Sequence, residues 1–318
     1  MFALGPEFCE KCHEIRPQVD AWRASTHRGV PCTGCHEYST RRNLQRLAAH
    51  WKGEVPEQPK MGLVDMLAVV DKCRGCHQQQ FAEWKAGPHS ATYARIFTNS
   101  EHNHKRKLMD DCLRCHGMHF EADIKSLVTP VNQKGPWQLV DKGMAELPTM
   151  PCMTCHSIHH AGDPVMKPTE RAGTKQATMR PSLGLYDRRS RMNVNAAMLP
   201  VPTVLDGARP VKASPDARQG LCYQCHAPLA SRAISSGDDR TPMGVHEGLS
   251  CMACHQGHQQ NTRASCVTCH PRLSNCGLDV EKMDTSFHDA KSRHNIHSVK
   301  CIDCHPSGVP RRTRSVPQ

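Results

Sequence analysis

The chain has 318 residues, of which 4% are aromatic and 38% hydrophobic, and that hydrophobic share counts 19 cysteines. A conventional core of this size would lack large apolar side chains, and a mean hydropathy of −0.59 with no apolar run longer than Met61–Val70 excludes a membrane-spanning helix within the numbered chain. A formal net charge of +11 would suggest nucleic-acid binding in another protein, but the cysteine spacing redirects that reading.

In chain order, the motif Cys9-x-x-Cys12-His13 comes first, followed by an expected helix over Arg16–Thr26 and the segment Trp22-Arg-Ala-Ser-Thr-His27. The same motif recurs at Cys32, Cys35 and His36, ahead of expected helices at Thr40–Trp51 and Leu63–Lys72. Cys73, Cys76 and His77 form the third copy. An expected helix over Gln78–Lys85 follows, and Trp84-Lys-Ala-Gly-Pro-His89 repeats the step from tryptophan to histidine. A helix over Ala91–Asn99 leads to Cys112, Cys115 and His116, and the fifth copy is Cys152, Cys155 and His156. His119 and His159 stand three residues beyond these two motif histidines.

From 161 to 219 no motif occurs, and the many Pro, Arg and Gly residues there suggest an extended strap or a linker. Four further copies then follow at Cys222, Cys225 and His226, at Cys251, Cys254 and His255, at Cys266, Cys269 and His270, and at Cys301, Cys304 and His305. His27 and His246 each stand five residues before a motif cysteine, His297 stands four before one, and His258 stands three after His255. Cys276 alone is left over, and Arg311-Arg312-Thr313-Arg314 is expected as a flexible basic end, with a contact to a partner or an anionic membrane as the alternative. Strands are not evident among the 23 prolines and 21 glycines.

Cys-x-x-Cys-His is the attachment signal for c-type haem: two thiols form thioethers with the porphyrin, and the adjoining imidazole binds the iron. Zinc ribbons, redox pairs and disulfide frameworks do not require a histidine after every second cysteine. With 22 histidines in the chain, nine such placements by composition alone have odds on the order of 10⁻¹⁰. The expected cofactors are therefore nine haems c. Their propionates reverse much of the positive charge, to roughly +2 oxidised or −7 reduced.

The remaining histidines supply second axial ligands. Repeated placement favours His27, His89, His119, His159, His246, His258 and His297, with two further places open to His50, His102, His104, His160, His288 and His294. A histidine three residues beyond a motif histidine is on the same side of that iron, so it reaches a neighbouring haem more readily than its own. Methionine, present 15 times, is the rival ligand.

The expected fold is mainly α with little regular secondary structure, organised around packed covalent haems. Its expected parts are a five-haem module over 1–160, a haem-free strap or linker over 161–219 and a four-haem module over 220–318. Trp22 and Trp84 are expected as packing residues. Thioether attachment points to a periplasmic or cell-surface compartment. Met1–Phe8 shows neither a basic region nor a hydrophobic one, so a signal or N-terminal anchor is expected outside this numbering.

With these motifs along its length, the chain resembles the bacterial multihaem cytochromes c. The opening Glu7-Phe8-Cys9-Glu-Lys-Cys12-His13-Glu14, running through Trp22 and His27 to Cys32-Thr-Gly-Cys35-His36, resembles NapC/NirT-type quinol dehydrogenases. The resemblance implies an electron relay between a quinol- or enzyme-side donor and a terminal acceptor, without catalytic residues. It implies redox partner proteins or the subunits of a membrane-associated respiratory complex, and no nucleic acid. Two alternatives stay open: an oxidoreductase with one open haem acting on nitrite, hydroxylamine or a sulfur oxyanion, and a subunit of a polymerised cytochrome filament that self-associates through end haems.

Overall fold

Short helices dominate, each set by local signals. Helix α1 spans Pro6–Cys9, and α2 spans Arg16–Ala24 with Pro17 in its first turn, where a missing N–H costs nothing. The second motif folds as α3, Cys32–Cys35. Ser39 caps α4, Thr40–Trp51, its side chain accepting from the Arg42 N–H at 3.3 Å. Next come α5, Leu63–Cys76, and α6, Gln78–Ala86, so α5 runs through the third motif instead of stopping at Lys72. The segment expected as one helix over Ala91–Asn99 divides into α7, Tyr93–Phe97, capped by Thr92, and α8, Ser100–Lys105, capped by Asn99. Two competing caps within a dozen residues explain the break. Asp123 caps α9, Ile124–Leu127.

This computed structural model describes residues 6–37, 39–55, 62–157, 159, 183–226, 240–255, 258, 262–270 and 295–308. Two units partition the chain, Met1–Leu199 and Pro200–Gln318. Cys276, the tail from Arg311, His160, His288 and His294 lie outside the described residues.

Within the first unit one side-chain core forms. Tyr93, Phe97, Leu108, Leu113, Ile124, Leu127, Val128, Trp137, Leu139 and Met144 pack together, and Tyr93, Phe97 and Leu113 are wholly buried. Three aromatics, Tyr93, Phe97 and Trp137, join seven aliphatic side chains here, so this stretch packs conventionally in spite of the overall composition. Gly117 follows the fourth motif in a left-handed conformation (φ 79°), and a Cβ there would lie 2.7 Å from the Tyr93 ring. The backbone after His116 can lie on the core only as glycine.

Strands do occur, which corrects the expectation of none. Val128–Thr129 (β1) pairs with Gln138–Leu139 (β2), and Gly184–Asp187 (β3) pairs antiparallel with Met192–Asn195 (β4), Gly184 opposite Asn195. In the second unit Leu205–Asp206 (β5) pairs with Arg209–Pro210 (β6). The β3–β4 turn is closed by Asp187, whose carboxylate accepts from the Ser190 N–H at 2.9 Å. The β3–β4 and β5–β6 hairpins fall in the stretch read as a strap, where turn chemistry set by Asp and Gly, instead of apolar alternation, makes the ladders.

Candidate haem-binding sites

Each motif is a single helical turn. From the second motif onward the histidine N–H donates to the carbonyl of its first cysteine, at 2.9 Å for His36–Cys32, 2.8 Å for His77–Cys73 and 2.7 Å for His270–Cys266, with the same bond at His116, His156, His226, His255 and His305. One such turn sets two thiols a helical turn apart and places the imidazole just beyond them, which is the layout that two thioethers and one axial ligand require. The first motif closes differently, through the Cys12 N–H and the Cys9 carbonyl at 3.2 Å.

The motifs also cluster. Burial, followed by the neighbouring Cys32 thiol, pushes Cys9 up to about 11. Burial, then Cys152 and Cys35, does the same for Cys73, while Cys35 is raised by burial and by nearby Cys76. In the second unit the Cys222 and Cys251 thiols share a hydrogen bond that lowers Cys222 to about 7 and pushes Cys251 up. Cys254 is raised by burial and by Cys266 and Cys269. Attachment points of the first, second, third and fifth motifs are therefore neighbours, as are those of the sixth, seventh and eighth.

Five motif histidines face another imidazole. Ring centroids are 5.5 Å apart for His13 and His50, 5.9 Å for His77 and His27, 5.9 Å for His36 and His159, 6.4 Å for His270 and His246, and 6.3 Å for His255 and His297. Two imidazoles bonded on opposite sides of one iron, each at about 2 Å, stand with centroids roughly 6 Å apart. The donor set and its spacing fit a six-coordinate haem. Burial, followed by His159 and Arg46, lowers the His36 pKa, and burial lowers those of His246 and His255, so these rings are held neutral as a metal ligand requires.

Local structure fixes several of these rings. Ser25 Oγ accepts from the His27 N–H at 3.1 Å and donates to the Trp22 carbonyl, while the Trp22 indole donates to Val30. Trp84 uses its indole likewise, donating to the Met150 carbonyl. His159 Nδ1 lies 3.0 Å from the Gln18 carbonyl, which can only accept, so Nδ1 donates and Nε2 is the nitrogen left for a metal. His50 Nδ1 meets the Glu14 carboxylate, which also lies 3.3 Å from His13 Nε2. These three residues hold their ligand atoms within 4.8 Å of one another.

His246 and His297 are positioned together. The Met243 N–H donates to the His297 carbonyl at 2.6 Å and the Val245 N–H to the Val299 carbonyl at 3.0 Å. Gly244 (φ 64°) permits this approach, since a Cβ would lie 2.0 Å from the Val299 oxygen.

Other sequence-expected ligands have different surroundings. His119, 7% exposed, stacks on Tyr186 at 4.1 Å, and its Nε2 is buried without a hydrogen-bond partner. Burial depresses its pKa to about 4. The cavity beside it is lined by Tyr186, Glu121, Arg188, Arg189 and Arg191. His104 packs on Trp137 and bonds the Gln133 carbonyl at 3.0 Å, and His102 shares its helix α8. His89 is exposed on the turn 88–90, and His258 is half-buried. His50 was the weaker expectation from sequence, because no repeat marks it; its i, i+4 placement beside Arg46 on α4 gave no separate signal.

These features define a multihaem c-type cytochrome. Residues 72–157 match the family described as cytochrome c554 and c-prime, and residues 210–271 match cytochrome c7 and related cytochrome c. The first match contains the third to fifth motifs and the second contains the sixth to eighth; neither covers the first two motifs. No curated protein and no solved structure matches the chain. Among the described residues no helix is long and apolar enough to cross a membrane.

Proposed function

We propose that this chain is a nonahaem electron-transfer cytochrome c, relaying electrons through bis-histidine haems between a respiratory donor and a terminal acceptor as a subunit of a larger extracytoplasmic complex. The facing imidazole pairs carry this reading. Haem c, when bound, supplies a one-electron iron couple. Nine motif histidines, from His13 to His305, hold one axial position each, and a second imidazole closes the other, leaving no site for substrate. His50, His27, His159, His246 and His297 serve five positions; His89, His119 and His258, with one of His102, His104, His160, His288 and His294, serve the other four. Neighbouring thiols in the first, second, third and fifth motifs, and in the sixth to eighth, support two runs of closely spaced attachment points suited to tunnelling.

Intact mass and a pyridine haemochrome assay on the full-length holoprotein test this reading. Nine covalent haems, all reducible and rapidly reoxidised by an external acceptor, support it. A count below the number of motifs, or haems lost on denaturation, contradicts it.

One observation favours a second reading, an oxidoreductase acting on an oxyanion. Three arginines, one of them 3.7 Å from the Glu121 carboxylate, surround a cavity close behind the fourth motif with Tyr186 and the buried His119. Such a site attracts an anion and keeps a neutral imidazole at hand as an acid or base. Binding of nitrite or sulfite with a spectral change at one haem would favour it.

A further inference from the structure

In each of the five facing pairs the second imidazole comes from outside the motif that it faces. His27 lies between the first and second motifs yet faces His77 of the third. His159, just past the fifth motif, faces His36 of the second. His50 follows the second motif and faces His13 of the first, His246 precedes the seventh and faces His270 of the eighth, and His297 precedes the ninth and faces His255 of the seventh.

We infer that His50, His27, His159, His246 and His297 are the second axial ligands of the irons held by His13, His77, His36, His270 and His255, so that ligation staples chain segments distant in sequence. This rests on the haem reading above and assigns its wiring. Two kinds of observation besides spacing support it. The Gln18 carbonyl receives the Nδ1 side of His159, an orientation typical of metal-bound imidazoles. The backbone ladder at 243–245 and 297–299 sets two of the five ligands in one step. Each staple closes a long loop, so these bonds couple haem attachment to the folding of its unit.

The ring planes add a spectroscopic consequence. His13–His50, His77–His27 and His270–His246 cross at 69°, 71° and 83°, whereas His36–His159 and His255–His297 lie at 29° and 21°. Both ligand planes contain the bond to iron, so this angle sets how unequally they interact with the two iron orbitals of π symmetry. Near-perpendicular planes leave those orbitals almost equal in energy and give a low-spin ferric signal of large anisotropy; near-parallel planes split them and give a rhombic signal.

Electron paramagnetic resonance of the full-length holoprotein, its His159→Met and its His27→Met variants tests the assignment, with haem count by mass and near-infrared magnetic circular dichroism alongside. The assignment expects an unchanged haem count, one bis-imidazole haem converted to histidine–methionine in each variant, loss of one rhombic signal with His159→Met, and loss of one large-anisotropy signal with His27→Met. Full haem content with every bis-imidazole signal retained overturns it. So does a wild-type spectrum with a single class of low-spin signal. If either variant fails to accumulate, His50→Met on the exposed helix α4 carries the same test, expected to remove one large-anisotropy signal. A wild-type protein without covalent haem would instead overturn the haem reading itself.

Discussion

Residues 93–147 and residues 16–52 belong to the same unit, yet they hold themselves together by different means. In the first stretch Tyr93, Phe97 and Leu113 are fully buried around the fourth motif, and Asp110 Oδ1 accepts from the Ile124 N–H at 2.7 Å to fix α9. In the second, α4 buries no residue, and Leu44 and Trp51 are 61% and 77% exposed along one stripe that also carries Leu47. An amphipathic helix with its apolar stripe in the open requires a partner surface. His50 on that same helix faces His13, and on the reading proposed above a porphyrin at the first motif covers the stripe. Side chains form the core in the first stretch; in the second, the proposed cofactor takes that part.

The largest expected effect comes from making the chain without haem attachment. Hydrogen exchange should then retain protection within 93–149 and lose it over α4 and across the second unit; uniform protection would erase the contrast. Phe97→Ala, in the side-chain core, should cost about 3–5 kcal/mol by denaturant unfolding and leave haem content unchanged. Leu44→Ser sharpens the comparison from the other side. It should cost about 1–2 kcal/mol in the holoprotein and almost nothing in the haem-free chain, whereas equal effects would mean that no porphyrin covers the stripe.

The smallest effect concerns Asp216. Burial works to raise its pKa, but hydrogen bonds from Arg218 and Ser250, with Ser250 Oγ at 2.7 Å, outweigh burial and lower it. A carboxylate with a depressed folded pKa stabilises above its unfolded value of about 4, and that contribution is lost as pH falls through the folded value. Asp216→Asn should therefore cost about 1–2 kcal/mol at neutral pH and flatten the acid limb of an unfolding curve below about pH 4.

The sequence made the chemistry more legible than the architecture. Cysteine spacing marks nine Cys-x-x-Cys-His segments, and eight of them close through the same bond from the histidine N–H to the first cysteine carbonyl. The helices at Arg16, Thr40, Leu63 and Gln78 were readable from proline, the Ser39 cap and apolar periodicity, with ends shifted where α5 ran on through Cys76. The core at 93–144 was hidden by whole-chain composition, which averages a dense apolar cluster with long apolar-poor stretches. The hairpin at Gly184–Asn195 carries no alternation, and its ladder depends on Asp187 and on the close approach of Gly184 to Val194. Pairing across the fold, such as His159 with His36, depends on tertiary placement that no spacing rule contains.

Low-temperature electron paramagnetic resonance with ultraviolet–visible titration of the purified full-length holoprotein addresses the central claim most directly. The account predicts low-spin ferric signals only, in two classes of anisotropy, with no spectral shift on adding cyanide, nitrite or hydroxylamine. A high-spin ferric signal that shifts with any of these ligands would contradict it, open one axial position, and bring the arginine-lined cavity beside His119 forward as the place where chemistry occurs.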